Sequence, residues 1–253
     1  MLFTVLAAAL ADSDENDYMK TLILTDNAYA LGVAIELQDT HGEIDIFQSP
    51  NGALPDIPGL NVQEKIKGII AKYNLVLSIH CKQLFPAELV NTIRCVNVHP
   101  GLNPYNRGWF PQVFSIINGL SAGVTIHEID EQLDHGPIIV QKEYTIESWD
   151  TSGTAYAKIM KIERELLLEK FTAVREGSYR AETPGIEGNI NYKSDFDQLK
   201  YLDLEEEGKF SDFLNRLRAL THDNFRNAYF MDASGRKVFV RVILEPESGL
   251  PPP

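Results

Sequence analysis

Short, largely apolar runs alternate with longer amphipathic segments from residue 20 onward. Thr21-Leu22-Ile23-Leu24-Thr25 has the pattern of a parallel strand covered on both faces. Asp26-Asn27 then precedes Ala28, Leu31, Ala34, Ile35 and Leu37 at helical spacing, which predicts a capped helix. Residues 43–48 predict a second strand, ended by the turn signal Ser49-Pro50-Asn51-Gly52. Residues 62–73 put Ile66, Ile69 and Ile70 on one helical face. Residues 75–79 predict a third strand, 86–93 a short helix and 94–98 a fourth strand. Further on, 108–119 predicts a helix burying Val113, Ile116 and Ile117. Two more strands follow over 122–129 and 138–146, then one long amphipathic helix over 152–176.

This alternation implies an α/β fold: an open, mostly parallel Rossmann-like sheet with flanking helices. No GxGxxG follows the first strand and no GxxxxGK[ST] occurs, so nicotinamide and P-loop chemistry lose their fingerprints. From about Gly177 the pattern changes. Polar loops through Tyr192 precede helical stretches at 195–202 and 209–220. Residues 227–244 then spell a β-hairpin around Asp232-Ala233-Ser234-Gly235. A lone hairpin is marginal in water, so this one is expected to pack on something, such as a second copy of the chain. The expected organisation is an extension over 1–18 outside the fold, a main domain over 19–176, and a C-terminal segment over 177–253 with small helices and the hairpin. Residues 249–253 are expected to fray.

Composition adds limits. The chain has 253 residues, 44% hydrophobic and 23% charged, as in ordinary globular proteins. Its net charge of −13 weighs against a nucleic-acid partner, because such affinity comes from Lys and Arg neutralising phosphates. A local basic pocket could still hold a small anion. Cys81 and Cys95 match no disulfide framework or zinc spacing and read as reduced packing residues of a cytoplasmic protein. The apolar run LFTVLAAALA near the start lacks a preceding Lys or Arg and is too short to cross a bilayer, so no membrane partner is expected.

In an open parallel sheet the ligand crevice lies beyond the carboxyl ends of the strands. That rim collects Asn27, Lys82, Gln83, Asn97 and His99, and Asp134 in a later connection can reach it. Asn97 and His99 are two residues apart on one strand, so both side chains point to the same side, roughly 6.6 Å apart. His99 suits a general acid or base, an Asp nearby would fix its tautomer, and an Asn N–H could meet a developing oxyanion. No Ser or Cys there resembles an activated nucleophile, which suggests direct attack by a substrate group. The plainer alternative is a strand end with a buried, hydrogen-bonded histidine. His127 reads as a packed strand residue. A metal centre from His80, His99, His127 and Asp130 lacks HxH or HxxxH spacing, so no metal is expected. Trp109-Phe110 could be core or a stacking platform at the rim, and Arg107 could meet a phosphate or a loop carboxylate.

The run Asn97-Val98-His99-Pro100-Gly101-Leu102-Asn103-Pro104 with Arg107-Gly108 resembles the signature of the formyltransferases that use N10-formyltetrahydrofolate. So do Gly123-Val124-Thr125-Ile126-His127 and Leu133-Asp134-His135-Gly136-Pro137. Over about residues 19–247 the chain is similar to the bacterial branch that formylates the dTDP-linked amino sugar dTDP-4-amino-4,6-dideoxyglucose. The resemblance implies that Asn97, His99 and Asp134 are catalytic. It also implies that Lys82, Gln83 and Leu84 lie along the folate, and that Asn27, Arg107 and Trp109 face the acceptor sugar nucleotide. It further implies a homodimer formed through the C-terminal hairpin. A tRNA acceptor is disfavoured by the charge and the short C-terminal segment. A glycinamide ribonucleotide acceptor is disfavoured because those enzymes end near the long helix. A folate deformylase and a non-catalytic nucleotide-sugar binder are the readings from other classes.

Overall fold

The computed structural model describes residues 20–247; the expected extension over 1–18 and frayed tail over 249–253 lie outside the described residues. In chain order the first half contains β1 (Thr21–Thr25), α1 (Ala28–His41), β2 (Ile44–Phe47), α2 (Ile66–Lys72), β3 (Leu75–Ile79), α3 (Ala87–Val90) and β4 (Arg94–His99). The rest contains β5 (Arg107–Gly108), α4 (Pro111–Asn118), β6 (Ala122–Glu128), β7 (Ile138–Tyr144), α5 (Ser152–Glu176), β8 (Ile190–Asn191), α6 (Lys193–Leu199), α7 (Phe210–Leu220), β9 (Ala228–Met231) and β10 (Lys237–Val240).

Six strands form one sheet in the order β2-β1-β3-β4-β6-β7. The first three pairings are parallel; β6 runs against β4, and β7 against β6. β6 alone therefore opposes the rest, and the sheet is mixed but mostly parallel, as the alternation predicted. β1 and β3 are buried at every residue because helices cover both faces. On one face α1 and α5 lay Val33, Leu37, Ile159, Leu167 and Phe171 against Ile23, Leu77, Val96 and Ile126. On the other, Val62, Ile69 and Leu89 pack on Leu22, Leu24 and Val76. α5 is framed by a Thr151–Thr154 capping box and by Gly177, whose φ of 72° lets the chain leave the helix.

Three local expectations differ from the structure. The helix expected over 62–73 begins at Ile66, and the Val62 N–H is spent on Gln83 Oε1 instead. The helix expected from Gly108 begins at Pro111, behind a left-handed Phe110. Ahead of it, β5 pairs with β8 inside the stretch expected to be polar loop. A two-residue strand carries no period to read. Gly108 is required there: its φ is +88°, and a Cβ would sit 2.4 Å from the Asn191 carbonyl oxygen. The hairpin forms as expected from β9 and β10. Ala228 and Val240 join a third apolar cluster with α4, α6 and α7, while Met231 and Phe239 lie on the opposite, outward face of the hairpin.

Candidate active site

β4 ends in the middle of the sheet, beside β3 and β6. Its register pairs Asn97 with Ser78 on one side and with His127 on the other. Period-two alternation puts Asn97 and His99 on one side, and Asp134 reaches both from the β6–β7 connection. Asp134 Oδ1 accepts from Asn97 Nδ2 at 3.0 Å, and Oδ2 accepts from the Gly108 N–H at 3.0 Å. His99 Nδ1 lies 3.4 Å from the same Oδ2. That is slightly long for a hydrogen bond, but within a small side-chain adjustment, as is common in ligand-free catalytic sites. Asp134 itself has a left-handed backbone, φ 47°, and its carbonyl accepts from Asn103 Nδ2 at 2.8 Å.

His99 is 3% exposed, and its Nε2 is buried with no hydrogen-bond partner among the described residues. A buried orphan of this kind costs about 1–3 kcal/mol unless something supplies a partner. The turn after it leaves the room: a Cβ on Gly101 would lie 2.4 Å from that Nε2. Burial pushes the His99 imidazole down to about 4, against the opposing pull of Asp134 and with help from His127, His80 and Arg107. The ring is therefore neutral at physiological pH and free to accept a proton. Burial alone would raise the Asp134 carboxyl; His99, His127 and the Gly108 N–H outweigh it and hold the group below the usual carboxylate range. The result is a charged carboxylate beside a neutral imidazole, the arrangement that fixes a tautomer and supports a transient imidazolium.

His127 proves to belong to this cluster. Its Nδ1–H donates to the Glu128 carbonyl at 2.7 Å, and its Nε2 lies 3.3 Å from Asn97 Nδ2 and 3.7 Å from Asp134 Oδ1. Both amide hydrogens of Asn97 are thus directed, one to Asp134 and the longer one to His127. Thr125 was also not anticipated. Its hydroxyl donates to the Gly101 carbonyl at 2.7 Å and accepts from the Asn103 N–H and from Gln141 Nε2, which pins the turn after β4. No sequence signal marks it apart from its place in the Gly123–His127 run.

The other expected residues scatter along the rim. Asn27 caps α1 through Oδ1, to the Tyr29 and Ala30 N–H groups, and donates from Nδ2 to the Tyr156 hydroxyl at 2.9 Å. The Lys82 N–H donates to Asp26, Gln83 latches Leu60 and Val62 with both ends of its amide, and Leu84 is 67% exposed. The Gln83 side chain is therefore occupied within the protein. Arg107 is buried and pairs with Glu187 at 2.6 Å. Together with Asn103, Pro104, Asp134, His135 and the turn 184–187 it lines a cavity of about 250 Å³. Trp109 lies partly exposed at the rim, with Lys193 Nζ 5.9 Å from its ring, and Phe110 stacks inward on Phe196 at 4.2 Å. Among the described residues, no group of three or more His, Cys, Asp or Glu is arranged to hold a metal ion.

Residues 59–171 match the family model described as formyl transferase, and residues 195–246 match one described as the N-formyltransferase dimerization C-terminal domain. A dTDP-4-amino-4,6-dideoxyglucose formyltransferase of Mycobacterium tuberculosis is 66% identical over 229 residues, 90% of this chain and 98% of the relative. The chain belongs to the sugar N-formyltransferase family. Solved structures agree with this membership. One from Mycobacterium tuberculosis, assigned to the sugar N-formyltransferases, superposes with a TM-score of 0.89 at 65% identity, covering 91% of this chain and 99% of that one. A sugar N-formyltransferase from Shewanella superposes at 0.86 with 39% identity, covering 90% and 98%. In this formyltransferase, then, the polar cluster at the end of β4 lies inside the segment matched as formyl transferase, and the hairpin inside the segment matched as the dimerization domain.

Proposed function

We propose that the enzyme transfers the formyl group of N10-formyltetrahydrofolate to the 4-amine of dTDP-4-amino-4,6-dideoxyglucose, for formylated sugars of a bacterial surface polysaccharide. The observation that carries the chemistry is the orphaned His99 Nε2, held over an open turn by Asp134. The choice of acceptor rests on the 66% identity to the mycobacterial relative across nearly its whole length. The sugar's amine attacks the formyl carbon. As the carbonyl oxygen gains charge, Asn97 meets it with the amide hydrogen that otherwise makes the longer contact to His127, while its other hydrogen stays on Asp134. His99 Nε2 takes the proton the attacking nitrogen sheds and returns it to the folate nitrogen as the C–N bond breaks. Asp134 keeps the proton of His99 on Nδ1, which leaves Nε2 as the base.

Leu84, in the connection after β3, offers an exposed apolar side chain for the pterin, with the Lys82 main chain two residues before it. Gln83 contributes by holding that loop in place. Asn27, Arg107 and Trp109 line the acceptor side, where Arg107 must exchange Glu187 for the substrate if it meets a phosphate. Residues 19–176 form the catalytic domain and 177–253 a C-terminal segment. Two chains pair through the outward face of the hairpin, for which the exposed Met231 and Phe239 supply the apolar surface. The two free cysteines fit a cytoplasmic location. Mass spectrometry of the reaction with N10-formyltetrahydrofolate tests the reading, with the 4-amino sugar, its 3-amino isomer and glycinamide ribonucleotide as parallel acceptors. A gain of one formyl group on the 4-amino sugar is the expected result. Gain only on another acceptor overturns the substrate, and no gain on any of the three overturns the activity.

A further inference from the structure

A second carboxylate–imidazole pair stands beside the first. His80 follows β3 directly. Because Ile79 is in register with Val98, His80 emerges at the same edge of the sheet as His99, one strand away. Its Nε2 lies 2.7 Å from Glu163 Oε2 on α5. Glu163 is 4% exposed, and its other oxygen, Oε1, is buried without a partner among the described residues. The backbone of His80 is left-handed, φ 54°, a conformation uncommon outside glycine and kept here to aim the ring. The ring retains 13% of its surface, and its Nδ1 makes no hydrogen bond to any described residue.

The reaction leaves this pair a task. An aliphatic amine reaches the site as an ammonium ion, and it must lose one proton before it can attack and a second while it attacks. His99 and Asp134 account for the second. Resting on the proposed formyl transfer, we propose that His80, backed by Glu163, is a second acid–base residue, which takes the first proton from the acceptor's ammonium. In this step an N–H bond of the ammonium breaks, and its electron pair stays on nitrogen as the nucleophile. The proton passes to His80 Nδ1, giving an imidazolium paired with the Glu163 carboxylate. The proton then leaves to water.

The environments of the two histidines support the division. Burial would lower His80 by itself, but the charge and hydrogen bond of Glu163 outweigh it and raise the group, whereas burial keeps His99 far down. Neighbouring imidazoles whose proton affinities are driven apart in this way take different roles. The groups facing His80 are Glu163 and Tyr156 from α5 and His99 from β4, with Cys81 and Lys82 following it in the chain. The Tyr156 ring is 6.1 Å away and its hydroxyl, pushed up to about 12 by burial and by Glu163, stays neutral, as does the half-buried Cys81 thiol, which desolvation raises.

His80→Asn tests the proposal, because asparagine tolerates the left-handed backbone while lacking a base. First, the wild-type enzyme must formylate the 4-amino sugar; if it does not, the functional reading fails and takes this proposal with it. Given that product, the variant's kcat/KM is expected to fall ~10²-fold at pH 7. It should recover about tenfold per pH unit as the ammonium deprotonates in solution. With the 4-hydroxylamino analogue of the same dTDP-sugar, whose nitrogen is neutral at pH 7, variant and wild type should agree within ~3-fold. A loss equal at every pH and equal for both acceptors would overturn the acid–base role and leave His80 a structural residue.

Discussion

Replacing Asp134 with asparagine changes one atom of a buried side chain and leaves its shape nearly intact, yet the geometry permits no satisfactory orientation of the new amide. If its oxygen faces Asn97 Nδ2, its NH₂ group faces the Gly108 N–H and His99 Nδ1, and donors confront donors. His99 must then move its proton to Nε2, so the atom that should accept the substrate's proton is already protonated. If the amide is turned over, its NH₂ confronts Asn97 Nδ2 and displaces the oxyanion donor. Either way the site loses at least one hydrogen bond to a charged acceptor, about 1.5–3 kcal/mol. It also loses the correct base, worth roughly 10²–10⁴-fold. We therefore expect Asp134→Asn to lower turnover about 10³-fold, equivalent to about 4 kcal/mol of barrier. Global stability should move far less, because removing a buried charge offsets the lost bonds. Formyl transfer followed by mass spectrometry gives the rate and calorimetry gives Tm. Turnover within tenfold of wild type would refute the reasoning and mean that His99 has another orienting partner.

Gly101→Ala should cost at least ~10-fold in turnover with little change in fold, since the added methyl would fall 2.4 Å from His99 Nε2; an unaffected rate would show that the turn opens freely. His99→Asn should lower turnover by at least ~10²-fold. It should also flatten the acid side of the stability curve. The folded His99 value of about 4 lies below the ordinary 6.5, so the native state refuses a proton that the unfolded chain accepts. Its contribution is full above about pH 6.5 and is lost as pH falls toward 4. At pH 5 the wild type should therefore lose roughly 1–2 kcal/mol more than the variant, relative to pH 7. Equal acid sensitivity in denaturant titrations would contradict the buried neutral imidazole. Phe239→Glu places a charge on the outward face of the hairpin, where the ring is 40% exposed, and should shift the chain toward monomer in light scattering. An unchanged mass at micromolar concentration would move the dimer contact elsewhere.

The local pattern of the chain carried much of this architecture. A buried strand flanked by helices must be apolar on both faces, so TLILT and LVLSI declare themselves without any knowledge of their neighbours. Alternation along a strand likewise places Asn97 and His99 on one side, and strand order places them on the rim. What the local pattern does not hold is any contact made across long separations by short or irregular backbone. β5 and β8 are two residues each and find one another across some eighty positions. Gln83, polar and near the rim, turns back to hold Leu60 and Val62 because its amide meets two free backbone groups there. His127 is a packed strand residue, as its sequence context implies, and it also joins the site because β6 runs against β4 and sets its ring opposite Asn97. His80 and Glu163, 83 residues apart, become a pair only when α5 lies across the sheet. Side-chain chemistry and periodicity are properties of neighbours along the chain. Which carboxylate reaches which imidazole is decided by the path of the backbone in three dimensions.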